Sequence, residues 1–329
     1  MKLRVLSKHD VQQAVPMREA IEIVKGAFAQ LSAGKAVVPL RTQLPVERHE
    51  GVTIFMPAYL SESDDLGVKI VSVFPRNLEM ELPTIFALMI VVEAATGRPV
   101  AAMDGTYLTA LRTGAASGAA TDLLAREDAR VTAIFGAGAQ GRTQLLAVCE
   151  VRDIEKVRVY DINPQAAEKY AEEMAGKGRV PADVKVASSP AEAVREADVL
   201  CTATTSKTPV FADSDLKSGV HINAVGSFTP EMQEIPEQTV KRARLVVCSR
   251  EGCLAETGDL VIPIRKSLIT EDHIYAELGE IADGIKPGRE SAEEITLFKA
   301  VGNAVQDVSV ARAVLTQAET LGLGVEVEM

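Results

Sequence analysis

The 329-residue chain is poor in the groups that build metal centres and disulfide frameworks. Its four cysteines, Cys149, Cys201, Cys248 and Cys253, lie in or beside apolar stretches and form no C-x-x-C pair. That excludes the zinc-ribbon and thioredoxin-like motifs and predicts buried thiols. The four histidines, His9, His49, His221 and His273, fit no H-x-x-x-H or H-x-x-E-H spacing, so no metal site is expected. No apolar run approaches the length of a membrane span, and Met1-Lys2-Leu3-Arg4-Val5 lacks a signal peptide's apolar block. A cytoplasmic protein with no membrane partner is the expectation. Positive charge is also short: the net charge is −11 with no basic stripe, which disfavours nucleic acid and anionic membrane as partners. Internal repeats and low-complexity tracts are absent. The remaining composition, 47% hydrophobic and 25% charged, is that of a globular protein long enough for two domains or one large α/β unit.

The informative stretch is Val131-Thr132-Ala133-Ile134-Phe135 followed by Gly136-Ala137-Gly138-Ala139-Gln140-Gly141. A strand-forming run enters G-x-G-x-x-G, a helical segment follows, and a second strand ends at Tyr160-Asp161. In a βαβ unit the first glycine permits the tight turn. The second admits backbone N–H groups to a pyrophosphate, and the third lets helix and strand pack closely. Asp161 stands where a carboxylate accepts hydrogen bonds from an adenosine ribose. It would repel a 2′-phosphate, and Ile162-Asn163-Pro164 offers no cation to hold one, so NAD(H) is the predicted cofactor and NADP(H) the alternative.

Ahead of this unit, Pro16, the helically spaced Ile21, Val24, Phe28 and Leu31, and Gly34 mark an amphipathic helix over about 17–33. Short β-rich runs follow at 36–46, 51–57, 66–74, 84–93 and 99–103, with a hairpin turn at 93–99. The predicted first domain, 1–112, is α+β with a mainly antiparallel sheet. Residues 105–125 read as a helix of small side chains whose Gly114 and Gly118 cost about 1 kcal/mol each against alanine. Close approach by another element would offset that cost, making this helix a buried hinge. Arg112, placed in its first turn, is either solvated or set to fork onto a carboxylate. From 113 to 301 strands and helices alternate, with strands expected at 131–135, 156–160, 183–187, 198–203, 220–225 and 244–248. That rhythm predicts a doubly wound parallel sheet of Rossmann type. The strand ends Thr202-Ala203-Thr204-Thr205-Ser206 and Asn223-Ala224-Val225-Gly226-Ser227 should line the dinucleotide. A capping-box pattern at Ser291 predicts a long helix running through Leu297 and Val305 toward residue 320, with 302–329 returning to the first domain.

Several of these pieces resemble one family. Gly67-Val68-Lys69-Ile70-Val71, Leu108-Thr109-Ala110-Leu111-Arg112-Thr113-Gly114-Ala115, the GAGAQG turn, Asn223-Ala224-Val225-Gly226 and Leu297-Phe298-Lys299-Ala300-Val301-Gly302 with Val305-Gln306-Asp307 are similar to the ornithine cyclodeaminase/μ-crystallin family. The resemblance covers nearly the whole chain. It implies a homodimer in which first-domain sheets pack together, and a Rossmann domain on each subunit.

It further implies that Arg41, Lys69 and Arg112 hold a substrate carboxylate and polarise the reacting centre, with Lys69 and Arg112 catalytic. Asn77 and Thr84 are added as pocket candidates. The expected dinucleotide contacts are Gly136, Gly138, Ala139, Gln140, Gly141, Asp161, Thr113, Thr202, Thr204, Val225, Gly226 and Ser227. One departure bears on the reaction. Cyclodeaminases and the alanine dehydrogenases like them carry an Asp shortly after the fifth-strand V-G, where this chain has Phe228. The acid that would face the ornithine side chain is replaced by Met56. The expected activity is therefore NAD(P)H-dependent reduction of a cyclic ketimine carboxylate, 1-pyrroline-2-carboxylate or 1-piperideine-2-carboxylate, to L-proline or L-pipecolate. The alternatives are an alanine or other amino-acid dehydrogenase, an ornithine cyclodeaminase, and a μ-crystallin-like protein that binds a nucleotide and a small ligand.

Overall fold

The computed structural model describes residues 1–329 and divides into two compact units. One comprises Met1–Arg112 with Ala304–Met329, the other Thr113–Asn303. The helix Gly105–Leu124 contributes its beginning to the first unit and its remainder to the second.

The first unit is built on an eight-stranded mixed sheet. Its order runs Val325–Glu328, Lys2–Leu6, Arg98–Asp104, Ile85–Glu93, Asp65–Val73, Gly51–Leu60 and Ala36–Val37, with Thr42–Val46 also paired to Gly51–Leu60. Only Lys2–Leu6 against Arg98–Asp104 is parallel. The register sorts side chains by face, because successive residues of a strand point to opposite sides. Met56, Lys69, Met89 and Met103 form one cross-strand row, and all four are buried. The helix Ala304–Leu321 lies on that side, and Met17–Ser32, which buries Ile21, Val24 and Phe28, packs against it. The neighbouring row, Phe55, Ile70 and Leu88, belongs to the opposite face, where Phe86 and Leu88 are 49% and 44% exposed.

The second unit is an eight-stranded, wholly parallel sheet, two strands more than the sequence suggested. Its order is Val184–Val186, Lys156–Tyr160, Val131–Phe135, Val199–Thr202, His221–Ala224, Thr296–Lys299, Arg244–Val247 and Ile274–Glu277. The chain winds outward from Val131–Phe135 in one direction and returns to its other side at Val199–Thr202. Between these two strands the order reverses, which is where open α/β sheets bind ligands beyond the strand carboxyl ends.

The long helix expected from Ser291 is absent. Glu294 N–H does bond Ser291 Oγ at 3.2 Å, but the turn goes no further and Thr296–Lys299 is a strand. It is hydrogen-bonded on both sides, by His221–Ala224 and Arg244–Val247, and every residue in it is buried. A short, continuously apolar run buried on both faces carries no period that separates strand from helix. Gly302, at φ +80°, then turns the chain in a conformation costly for other residues, and the helix starts at Ala304. Arg112 also differs from expectation. It lies well inside Gly105–Leu124, beyond the first turn where it was expected, and at 5% exposed it matches the buried of its two alternatives, not the solvated one. The expected close approach is present at Gly114, where an added Cβ would sit 2.6 Å from Thr143 O on the helix Ala139–Val151.

All four cysteines are buried and free. His221 is structural: burial, reinforced by the Arg289 charge, pushes it down to about 3, and its neutral ring bonds Thr296 and Asn223.

Candidate active site

In the first unit, three residues far apart in sequence form one buried ionic cluster. Asp307 Oδ2 accepts from Lys69 Nζ at 2.8 Å, and its Oδ1 accepts from Arg112 Nε at 2.9 Å. Gln306 Oε1 accepts from Arg112 Nη1 at 3.2 Å. Lys69 is 1% exposed and Asp307 0%. Two cations against one carboxylate leave the trio with a surplus positive charge. Arg41, half-buried, adds to it closely enough to oppose protonation of Lys69. Burial lowers the Lys69 ammonium to about 8, Asp307 pulls it back up, and Arg112 and Arg41 push it down. Unpaired buried charge is costly, so this arrangement is matched to an anion. Arg112 Nη2 has no protein partner, which leaves an edge of the guanidinium for a carboxylate.

Asn77 Nδ2 donates to Pro83 O at 2.8 Å, and Asn77 lines a cavity with His49, Phe74 and Arg76. Thr84 is half-buried, and its backbone O accepts from Phe74 N. Met56 lies directly across from Lys69 in register and is buried, so no second carboxylate occupies that position.

The second unit carries the glycine turn. Gly136 has φ +100°, and an added Cβ there would meet Ala203 O at 2.5 Å. An added Cβ on Gly141 would strike Gly136 O. Gly138 caps the helix Ala139–Val151 without a side-chain bond, and a Cβ placed on it would meet nothing within 4 Å. The N-terminus of a 13-residue helix is thus left without a side-chain cap and with open space beside Gly138. That is the geometry which accepts a phosphate at a helix N-terminus. Beside it lies a cavity of about 550 Å³ lined by Phe135, Gly138, Asp161, Ile162, Pro190 and Thr204, among others. Asp161 accepts from Ala137 N and Asn163 N, both at 2.8 Å, so the carboxylate at the strand end also braces the turn. Ile162, 93% exposed, stands where a 2′-phosphate would need a cation. These residues fit a dinucleotide without that phosphate.

Not every expected cofactor contact faces outward. Thr202 is buried, with Oγ1 bonded to Glu234. Ser227 is buried too, with Oγ on Met232 O at 2.6 Å and beside Thr257 Oγ1 at 2.7 Å. Glu234, which sequence reasoning did not single out, ties the two strand-end loops together. Its oxygens accept from Thr204 N and Oγ1, Thr202 Oγ1, Gly226 N and Ser227 N at 2.6–3.1 Å. Burial pushes its carboxyl up, Lys299 pulls it down, and Asp259 pushes it up again. Asp259 in turn accepts from Glu234 N and Ile235 N, and its other oxygen lies 2.9 Å from Lys299 Nζ, a contact off the hydrogen-bonding direction. Thr113 begins the second unit beside Arg112 in sequence and is half-buried.

The ornithine cyclodeaminase/mu-crystallin family model matches residues 1–321. The chain belongs to that family. Members of the ornithine cyclodeaminase/mu-crystallin family that it resembles include a Delta(1)-pyrroline-2-carboxylate reductase of Bacillus cereus, 42% identical over 98% of this chain and 99% of the relative. The solved structure of Thermococcus litoralis Delta(1)-pyrroline-2-carboxylate reductase, in complex with NADH and L-proline, superposes with a TM-score of 0.94 at 47% identity. It covers 98% of this chain and all of that one. An archaeal alanine dehydrogenase dimer with bound NAD superposes at 0.92 with 37% identity over the full length of both chains. The Rossmann-type parallel sheet and the mixed, mostly antiparallel sheet are those of the family. Asp307 and Gln306 are the residues that sequence reasoning passed over as substrate-site members. They were visible only as a motif, and nothing in their spacing pointed to Lys69, 238 residues earlier.

Proposed function

We propose that this protein is a dehydrogenase that reduces a cyclic imine carboxylate with NADH, producing L-proline or L-pipecolate. The observation that carries the reading is the buried Lys69–Arg112–Asp307 cluster, whose surplus cation calls for one carboxylate. When bound, the dinucleotide supplies the hydride that reduces the C=N carbon. Arg112 and Arg41 hold the carboxylate and so orient the ring. Lys69, an ammonium below about pH 8, delivers the proton that the ring nitrogen gains. The one carboxylate bonded to Lys69 is Asp307, already shared between two cations. With methionine at 56 and an exposed phenylalanine at 228, no acid is free at those positions to activate water or ammonia. An imine substrate needs no such base, whereas amination of pyruvate and cyclisation of ornithine do. The relatives named as pyrroline-2-carboxylate reductases support the same choice.

NAD(H) is the cofactor, on the strength of Asp161, the exposed Ile162 and the nucleotides bound in the related structures. The protein is also a homodimer in this reading. The apolar face bearing Leu44, Phe86 and Leu88 is exposed in the isolated chain, and the alanine dehydrogenase relative is a dimer. No helix is long and apolar enough to cross a membrane. The test is NADH consumption at 340 nm with each cyclic imine, with pyruvate plus ammonia, and with ornithine plus NAD. We expect turnover with the imines. Ammonia release from ornithine, or faster turnover of pyruvate than of either imine, would overturn the reading.

A further inference from the structure

We propose that Asp307 is a positioning residue: by giving one oxygen to Lys69 and the other to Arg112, it sets the proton state of the first and the orientation of the second. The proposal rests on the reductase reading above. Asp307 is fully buried, holds Lys69 Nζ at 2.8 Å and Arg112 Nε at 2.9 Å, and has no exposed edge with which to bind a ligand itself. Without it, two cations would face each other in a site closed to bulk water. Mutual repulsion would then expel the proton from the weaker acid's partner, lysine, since arginine does not deprotonate.

The groups around Lys69 make Asp307 decisive. The helix Ala304–Leu321 presents Asp307 and the helix Gly105–Leu124 presents Arg112, while Arg41 comes from the loop before Thr42–Val46. The flanking strands present Met56 and Met89, which carry no charge. Asp307 is thus the carboxylate that holds Lys69 in its ammonium form before substrate arrives. Gln306, one residue earlier, anchors the same guanidinium through Nη1 without any charge. The turn at 306–307 therefore separates two tasks, with both residues orienting Arg112 and only Asp307 tuning Lys69.

The test is the pH profile of kcat/KM for 1-pyrroline-2-carboxylate in wild type, Asp307→Asn, Asp307→Glu and Gln306→Leu. Lys69 must be protonated to act, so activity falls as pH rises through its pKa. Loss of a neighbouring opposite charge should move that alkaline limb down by about one pH unit or more in Asp307→Asn. Asp307→Glu should restore the limb while raising KM severalfold, because the longer arm displaces Arg112. Gln306→Leu should raise KM and leave the limb in place. A merely structural role would reduce the amount of active enzyme without moving the limb, and an unmoved limb in Asp307→Asn overturns the proposal. Should Asp307→Asn fail to fold, Asp307→Glu decides it, since wild-type KM there would contradict positioning. Calorimetric binding of pyrrole-2-carboxylate across pH reads the same limb without turnover. If wild type binds that anion but reduces no imine, the reductase reading fails while the Asp307 assignment is still judged by the binding limb.

Discussion

Each unit buries an ionic cluster that includes a lysine, and the two are built oppositely. In the first, Lys69 and Arg112 share Asp307, a surplus of positive charge with guanidinium donors left over. In the second, Glu234 and Asp259 accompany Lys299, a surplus of negative charge whose Glu234 oxygens are filled by backbone N–H groups and hydroxyls. Both clusters are almost wholly buried, so burial alone does not mark a substrate site. The sign of the surplus and where the free donors lie do. Glu234's oxygens are filled, and the buried Lys299 Nζ and Asp259 Oδ2, which lack a hydrogen bond, already face each other as an ion pair, whereas Arg112 keeps an edge of its guanidinium for an anion.

Substitutions can break that contrast. Lys69→Met should produce the largest loss, lowering kcat about 10²- to 10⁴-fold as expected for a lost proton donor, with NADH affinity by fluorescence titration unchanged. Arg112→Ala should raise KM for the imine by about 100-fold, the order of a lost buried charge pair, again sparing NADH binding. Glu234→Ala strands several buried donors at once and should cost roughly 3 kcal/mol or more in denaturant unfolding. It should weaken NADH binding and leave pyrrole-2-carboxylate affinity intact. If instead Glu234→Ala abolished carboxylate binding and spared NADH, the division of labour drawn here would be wrong. Smaller still, Asp161→Ser should relax discrimination against NADPH. Because Asp161 also bonds Ala137 N, NADH affinity should fall modestly as well. An unchanged NADH/NADPH ratio of kcat/KM would mean that another group reads the ribose.

The sequence carried the local parts of this picture far better than the long-range ones. Gly136, Gly138, Gly141 and Asp161 lie in one βαβ unit, where spacing alone implies geometry. Strand and helix limits followed wherever hydrophobic period changed, as at Met17–Ser32 and Asp65–Val73. The failure at Thr296–Lys299 arose because a strand inserted between two others is apolar throughout and has lost the alternation that would reveal it. Lys69 and Arg112 were recognised by resemblance. Their partner Asp307 was not, since the helix expected from Ser291 placed it mid-helix, and the turn at Gly302 that starts a new helix at Ala304 was not foreseen. Thr202 and Ser227 were expected on the dinucleotide because they stand at or just beyond strand ends at the right edge, but Thr202 Oγ1 bonds Glu234 and the Ser227 side chain, three residues past its strand, is held by Met232 O and Thr257.

The most direct test compares kcat/KM with NADH for 1-pyrroline-2-carboxylate and for 1-pyrroline, the same ring without its carboxylate. We expect the carboxylate to be worth about 100-fold or more in wild type, and the gap to collapse in Arg112→Ala. Equal rates on the two rings in wild type, or a gap that survives in Arg112→Ala, would contradict the assignment of the buried cationic cluster as the substrate's anchor.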